Sequence, residues 1–273
     1  MTIQFASLLS AVSTSSLPDA GPVSDAPLTG TARLLDNVHN LRDLGGMHGR
    51  DGKRVRMNRL FRSGNPGMAS AADMAWLQTL GLDVVIDFRS TDEKSAEESG
   101  FADAFNWLAL PMLEGSMNIK ELVPRMQAAS RQEMLDFMLQ LYRDFPIHHR
   151  SDFKQFMQEA ETGRTMLYHC SAGKDRTGFA TFLLLSALGV APELILANYL
   201  ESNHWNRRFI QGLLARMASL GIAAEVALPL LEVRPDYLQA SVRTIEEVWG
   251  STARYLGEAL GVDVARLQAH YLD

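Results

Sequence analysis

The sequence predicts an α/β fold: a mostly parallel central sheet flanked by helices, with a helical insertion before one strand and a helical C-terminal half. Three observations predict it. Val84-Val85-Ile86 and Thr165 to Tyr168 are short apolar runs without polar alternation, the pattern of strands covered on both faces. Strand patterns fall early and helical periodicity late, interleaved around one sheet. The second run feeds a glycine-bearing loop, His169 to Gly178, that opens a long helical pattern. With 273 residues, 47% of them hydrophobic, the chain buries a sizeable core, and one domain without internal repeats accommodates it.

Taken in order, Met1 to Gly30 holds no Lys or Arg and is rich in Ser, Ala, Pro and Asp. Its apolar stretch, Phe5 to Val12, is too short and too poorly flanked for a secretory signal. Residues 1–32 therefore read as a tail, flexible or docked, ahead of a main domain over 33–273. Asn37 to Ser63 reads as loop and short strands, with turns at Gly45-Gly46 and Asp51-Gly52. Arg50, Lys53, Arg54, Arg56, Arg59 and Arg62 crowd this piece and read mostly as a solvated basic face. Ser70 opens a helix over Asp73 to Leu80, and Gly81 ends it.

Val84 to Ile86 ends on Asp87, at the strand end where ligands of open α/β sheets gather. Asp87 is thus a candidate site residue, and equally a cap for the turn Arg89-Ser90-Thr91. Asn106 to Leu110 gives another strand, closed by Pro111. Residues 112–162 carry two amphipathic patterns, Arg131 to Tyr142 and Ser151 to Ala160, and Met, Leu and Phe at such spacing belong to a core. The helix from Arg176 to Leu188 is apolar all round and too short for a membrane span, which places it in the core beneath the loop. Helical patterns follow at Pro192 to Asn203, Trp205 to Leu220, Glu225 to Leu231 (weakened by Pro229), Pro235 to Trp249, Ser251 to Gly257 and Asp263 to Tyr271.

The loop carries the chemistry. Amides of a tight turn converge as a nest, and the first turn of the following helix adds unpaired N–H groups and the positive end of its dipole, so the stretch suits a phosphate. Cys170, the chain's only cysteine, stands at its floor, where those groups and Arg176 favour the nucleophilic thiolate. Arg176 can hold two phosphate oxygens with its planar fork. The Thr177 hydroxyl lies close enough in sequence to stabilise the sulfur as a leaving group. Gly173 supplies the backbone freedom of the turn. A nucleotide-binding loop would need Ser or Thr after Lys174 and a glycine at position 168, where Asp175 and Tyr168 stand.

His169-Cys170, five residues, then Arg176-Thr177-Gly178 resembles the phosphate loop of the cysteine-dependent tyrosine phosphatases, and Ala172 to Gly178 resembles their atypical bacterial and fungal group. Asn40 to Gly46, Phe61-Arg62-Ser63, Ile86 to Ser90 and Pro235 to Leu238 match that group in order. The resemblance implies a phosphomonoesterase working through a phosphocysteine, without cofactor or metal, on phosphotyrosine and, with broad specificity, on phosphoserine, phosphothreonine and phosphoinositides. It implies a substrate cradle of Ser171, Ala172, Gly173, Lys174, Asp175 and Arg176, with His169, Arg42, Asp43 and Arg62 in support. It favours Asp175, at the rim of the cradle, as general acid; no Trp-Pro-Asp loop exists here, and Asp87 is the second choice. It also makes the insertion over 112–162 a candidate lid. Lys174 either meets a second phosphate of an inositol lipid or pairs with a nearby carboxylate.

The net charge of −6 argues against a nucleic-acid partner, and no stretch is long and apolar enough to span a membrane. One cysteine rules out an internal disulfide and suits a reducing cytoplasm, with export as an effector still open. Two other classes compete: a catalytically silent module that captures phosphorylated partners, and another thiol enzyme such as a sulfurtransferase.

Overall fold

The structure, a computed structural model, describes residues 31–33, 35–95, 98–113 and 119–273. The expected tail lies almost wholly outside them. Six strands form one sheet: β1 Thr31–Ala32, β2 Arg42–Asp43, β3 Leu60–Ser63, β4 Val84–Asp87, β5 Trp107–Ala109 and β6 Met166–His169, in the order β1-β2-β3-β6-β4-β5. The first two pairings are antiparallel, and β3-β6, β6-β4 and β4-β5 are parallel. The mostly parallel sheet is therefore as the sequence predicts, with β5 shorter than the expected strand.

Register decides where the site lies. Ser63 and Asp87 both pair with His169, so β3, β4 and β6 end level and their following loops leave from one edge. That edge is the carboxyl end of the parallel strands, where a crevice forms.

The period-2 alternation of strands splits the core in two. Phe61, Val85 and Leu167 face a smaller cluster with Val38, Leu41 and Leu77, the last from α1, Ala71–Gln78. Ser70 caps α1 through a reciprocal exchange with Asp73, as its position before the helix suggests. Leu60, Val84, Ile86, Met166 and Tyr168 face the larger cluster. Short α2 (Ser99–Ala102) leads into β5, and the insertion that follows forms α3 (Ile119–Ala128), α4 (Arg131–His148) and α5 (Arg150–Glu161).

The larger cluster is built around α6, Arg176–Ala187, in which every residue but Ser186 is buried. Phe153 of α5 meets Phe179 of α6 edge-on at 4.7 Å between centroids, and Phe145 of α4 meets it at 5.6 Å. Each such ring contributes roughly 1.5–3 kcal/mol by leaving water. Within the insertion expected as a lid over 112–162, Met134, Met138, Phe145, Phe153, Phe156 and Met157 of α4 and α5 are all fully buried.

The C-terminal half adds α7 (Pro192–Trp205), α8 (Arg207–Ser219), α9 (Ala224–Leu231), α10 (Pro235–Trp249), α11 (Thr252–Arg254) and α12 (Val264–Tyr271). Proline opens α7 and α10, where its missing N–H costs no helical bond. Helix α9 contains Pro229, which is buried along with Ala227, Leu230 and Leu231. The helix expected over 251–257 divides into α11 and one π-helical turn, Tyr255–Ala259. Among the described residues no helix is long and apolar enough to cross a membrane.

Candidate active site

Four successive carbonyls of the loop after β6 are tied to the surrounding framework. His169 Nδ1 donates to Cys170 O at 3.2 Å, and the Asn65 amide donates to Ser171 O at 2.9 Å. Ala172 O accepts from the side chains of Asn40 (3.1 Å) and Asn206 (2.9 Å), and Gly173 O accepts from Asn40 and Arg62, each at 2.8 Å. In a trans peptide the N–H points opposite the carbonyl, so anchoring these oxygens outward turns the amides of Ser171, Ala172, Gly173 and Lys174 inward. Among the described residues none of those amides donates to a protein acceptor. They join the open first turn of α6 above Cys170, which is 2% exposed. Such an arrangement can hold an oxyanion, with a thiol at its base.

The turn is possible only because residue 173 is glycine. Its φ is +63°, and a Cβ there would stand 2.2 Å from Ser63 O. The tight contact locks the loop against the end of β3.

Arg176, at the start of α6, is 3% exposed and pairs end-on with Glu93: Nη1 to Oε2 at 2.6 Å and Nη2 to Oε1 at 2.8 Å. Nη1 also donates to Phe88 O and Met112 O at 3.2 and 3.3 Å, while Nε donates to no protein group among the described residues. The side-on edge of the fork is thereby left for a ligand. Glu93 also accepts from Ser171 Oγ at 2.5 Å and from Ser90 N at 2.9 Å. Burial pushes its carboxyl up, but the Arg176 ion pair outweighs burial and brings it down to about 2. Thr177 Oγ1 is buried without a hydrogen-bond partner, in the first turn of α6.

Asp175 is buried rather than at the rim. Lys174 Nζ donates to its Oδ2 at 2.6 Å and Tyr142 of α4 donates to its Oδ1 at 2.8 Å. Of the two readings of Lys174, pairing with a carboxylate is the one realised. Asp87 is fully buried and accepts from Arg89 N at 2.9 Å and Arg89 Nε at 3.1 Å; Lys94 stands 3.4 Å away. It caps the turn it opens. Burial raises its carboxyl, His169 and Arg89 more than offset that, and the group lies below the ordinary range. Both Asp87 and Asp175 thus rest with their carboxylate oxygens engaged by neighbouring donors.

Arg62 holds the loop directly and Arg42 one step behind it, donating at 2.9 Å to Asn40 Oδ1. Asp43 does not reach the loop: it accepts from Gly45 N at 2.9 Å and Asn58 N at 2.7 Å and shapes the β2-β3 connection. His169 is buried, and burial first of all lowers it to about 4, so the ring is neutral at physiological pH. Of the basic crowd, Arg50, Lys53 and Arg54 are exposed.

Sequence reasoning passed over Asn40, Asn65, Glu93, Tyr142 and Asn206. Asn40 opens a string that was already a landmark, and Ser90-x-x-Glu93 has the form of a capping box; neither pattern names the loop as partner. Among the described residues no group of three His, Cys, Asp or Glu side chains is arranged to hold a metal ion.

Residues 34–273 match the family described as "Tyrosine phosphatase family". A Cupriavidus necator protein whose name assigns it provisionally as a tyrosine-protein phosphatase is 58% identical over 238 residues, 87% of each chain. The triple specificity protein phosphatase PtpB of Mycobacterium tuberculosis is 30% identical over 263 residues, 83% of this chain and 93% of that one. The crystal structure of P. aeruginosa TpbA aligns with 65% of this chain and 88% of that one at 19% identity, with a TM-score of 0.32, too remote to bear on the site.

Proposed function

We propose that this chain, which belongs to the tyrosine phosphatase family, runs its phosphatase chemistry through a phosphocysteine formed on Cys170. The observation that carries this reading is the row of four anchored carbonyls, which aims the loop's amides at the space above the sulfur.

The Cys170 thiolate attacks phosphorus in line with the ester oxygen. An S–P bond forms as the P–O bond breaks, and Asp175, carrying a proton, delivers it to the departing alkoxide or phenoxide. The loop amides and Arg176 bind the three equatorial oxygens throughout, where charge gathers in the transition state. Water then attacks the phosphocysteine and gives its proton to Asp175. Inorganic phosphate leaves, and the thiolate, stabilised by the Thr177 hydroxyl, is restored. Glu93 fixes the end-on edge of Arg176, so the side-on edge meets the substrate already oriented.

Phosphotyrosine is the leading substrate, and the specificity extends to phosphoserine, phosphothreonine and phosphoinositides. Support for that breadth is the similarity to PtpB, whose name gives it triple specificity, together with Lys174, a second cation on the loop. A phosphate beside the first would draw Lys174 from Asp175.

Hydrolysis of p-nitrophenyl phosphate in excess chelator, compared between the native chain and Cys170→Ser, tests the chemistry. Turnover that survives chelation and vanishes with serine is expected; a folded, reduced native chain without turnover overturns the reading in favour of a phosphate-binding module. Phosphotyrosyl and phosphoseryl peptides and a phosphoinositide, assayed side by side, test the breadth.

A further inference from the structure

We infer that Tyr142 is a positioning residue for the catalytic proton: its hydroxyl holds Oδ1 of Asp175, so the proton is carried and delivered by Oδ2. The inference rests on the reading of Asp175 as general acid and deepens it.

Tyr142 lies on α4, 33 residues before Asp175, and is fully buried. Its hydroxyl donates to Asp175 Oδ1 at 2.8 Å and accepts from Tyr199 of α7 at 2.7 Å. A hydroxyl has one proton to give, so the Tyr199 donation fixes which way Tyr142 points. The chain of donors runs one way, ending on the carboxylate. The ring is equally constrained, with Phe145, Tyr237 and Tyr199 around it at 5.1, 5.5 and 6.3 Å between centroids. Ser241 Oγ also donates to its backbone carbonyl at 2.5 Å, so ring and main chain are both held.

The two carboxylate oxygens are therefore unequal. Oδ1 faces a buried neutral donor that stays put. Oδ2 faces Lys174, which reaches it at 2.6 Å and the Glu232 carbonyl at 3.5 Å. A protonated carboxyl still accepts from Tyr142 at Oδ1, less strongly than an ionised one, whereas a proton on Oδ2 points at the ammonium. Taking the proton on Oδ2 thus requires Lys174 to turn, and a phosphate dianion in the cradle is the group that would turn it. Substrate binding and loading of the acid become one event.

The charged and titratable groups around Asp175 are Lys174 and Arg176 on its own loop and helix, Tyr142, Tyr199 and Tyr237 from α4, α7 and α10, and Glu232 before α10. Burial, and next the Asp175 charge, push the Tyr142 phenol well above its ordinary value, so it remains a donor across the working range.

The test compares kcat/KM for p-nitrophenyl phosphate and phenyl phosphate in the native chain, Tyr142→Phe, Asp175→Asn and the double variant. The poorer leaving group needs the proton more. Loss of one hydrogen bond to a charged group predicts a fall of about 10-fold for phenyl phosphate in Tyr142→Phe and little change for p-nitrophenyl phosphate. The double variant should match Asp175→Asn, since Tyr142 acts only through that carboxyl. The alkaline limb of the phenyl phosphate profile should move to higher pH in Tyr142→Phe, because the ionised form loses a donor.

Equal losses on both esters, or additive effects, would overturn the inference while leaving Asp175 as the acid. No difference between the esters in Asp175→Asn would overturn the acid reading itself. Tyr199→Phe, which keeps Tyr142 in place, should show the same ester dependence at a smaller size of about 2–3-fold; if Tyr142→Phe does not fold, its absence there overturns the inference.

Discussion

Replacing Glu93 with Gln separates what stabilises the empty loop from what binds phosphate. In the native chain Glu93 and Arg176 form a bidentate pair with side chains 10% and 4% exposed, and the Glu93 carboxyl lies at about 2 against 4.5 for the free group. At roughly 1.4 kcal/mol per pH unit, that difference contributes about 3 kcal/mol of stability at neutral pH. Because the folded-state value is depressed, the contribution is complete above pH 4.5 and is lost as pH falls toward 2. Breaking a buried pair from one side costs about 3–5 kcal/mol in general, in keeping with this figure. Gln would also set an amide N–H against an Arg176 N–H. For a domain of this size the variant should melt about 6–12 °C lower. Phosphate or vanadate should recover part of the loss, since an oxyanion supplies the missing negative charge and no longer meets a carboxylate beside it. The oxyanion-induced rise in Tm should therefore be larger in the variant, while kcat falls about 10-fold or more because the guanidinium is no longer oriented. Differential scanning calorimetry with and without phosphate measures both. A variant with native Tm and a native phosphate-induced shift would refute the reasoning.

Asn40→Ala removes both its bonds to the loop carbonyls of Ala172 and Gly173, and should lower kcat/KM by about 10–100-fold with a loss of about 1–3 kcal/mol in urea unfolding. Gly173→Ala places a Cβ 2.2 Å from Ser63 O at a φ of +63°, so the loop must leave β3; activity should disappear while circular dichroism still reports the fold. His169→Asn should flatten the pH dependence of stability between pH 6.5 and 4. The buried ring, lowered to about 4, makes native stability full above 6.5 and loses on the order of 3 kcal/mol as pH falls through that window. Unchanged slope in urea titrations at several pH values would count against it.

The features legible in the sequence are those written within one segment. β6, the loop and α6 follow one another without a break, and the apolar run, the glycine and the all-apolar helix each point to the same element. β4 and the cap at Ser70 were equally local. What escaped is tertiary. Glu93 is 83 positions from Arg176, Asn40 is 133 from Gly173 and Tyr142 is 33 from Asp175, and no periodicity connects them. Each is a residue type that ordinarily faces solvent or fills a core, so its type did not announce its partner. The lid expectation had a similarly thin basis in the sequence. Position before β6 suggested a cover, but helical spacing of Met and Phe describes only an apolar face, and here the sheet and α6 provide what that face covers.

Behind the loop, Arg42 and Arg62 are both fully buried, and burial lowers each of them. Their partners are mostly neutral: Arg42 donates to the Asn198 carbonyl, Asn40 and Ser202, and Arg62 to Asn198, Gly173 and Ser202. Glu201, 3.5 Å from Arg42, is the carboxylate within salt-bridge range. Two guanidinium groups with one close carboxylate leave an excess of positive charge in a region of low dielectric, which is costly in the empty protein. Their charges also oppose each other, since Arg62 is the neighbour that lowers Arg42 after burial itself. A stability optimum alone would have placed apolar side chains there. The excess favours an anion bound nearby. The two buried guanidiniums behind the loop add positive field at the floor of the cradle. Arg62, which ties down the Gly173 carbonyl, and Arg42, which holds Asn40 one step behind it, supply that field, so the loop's shape and its charge are coupled.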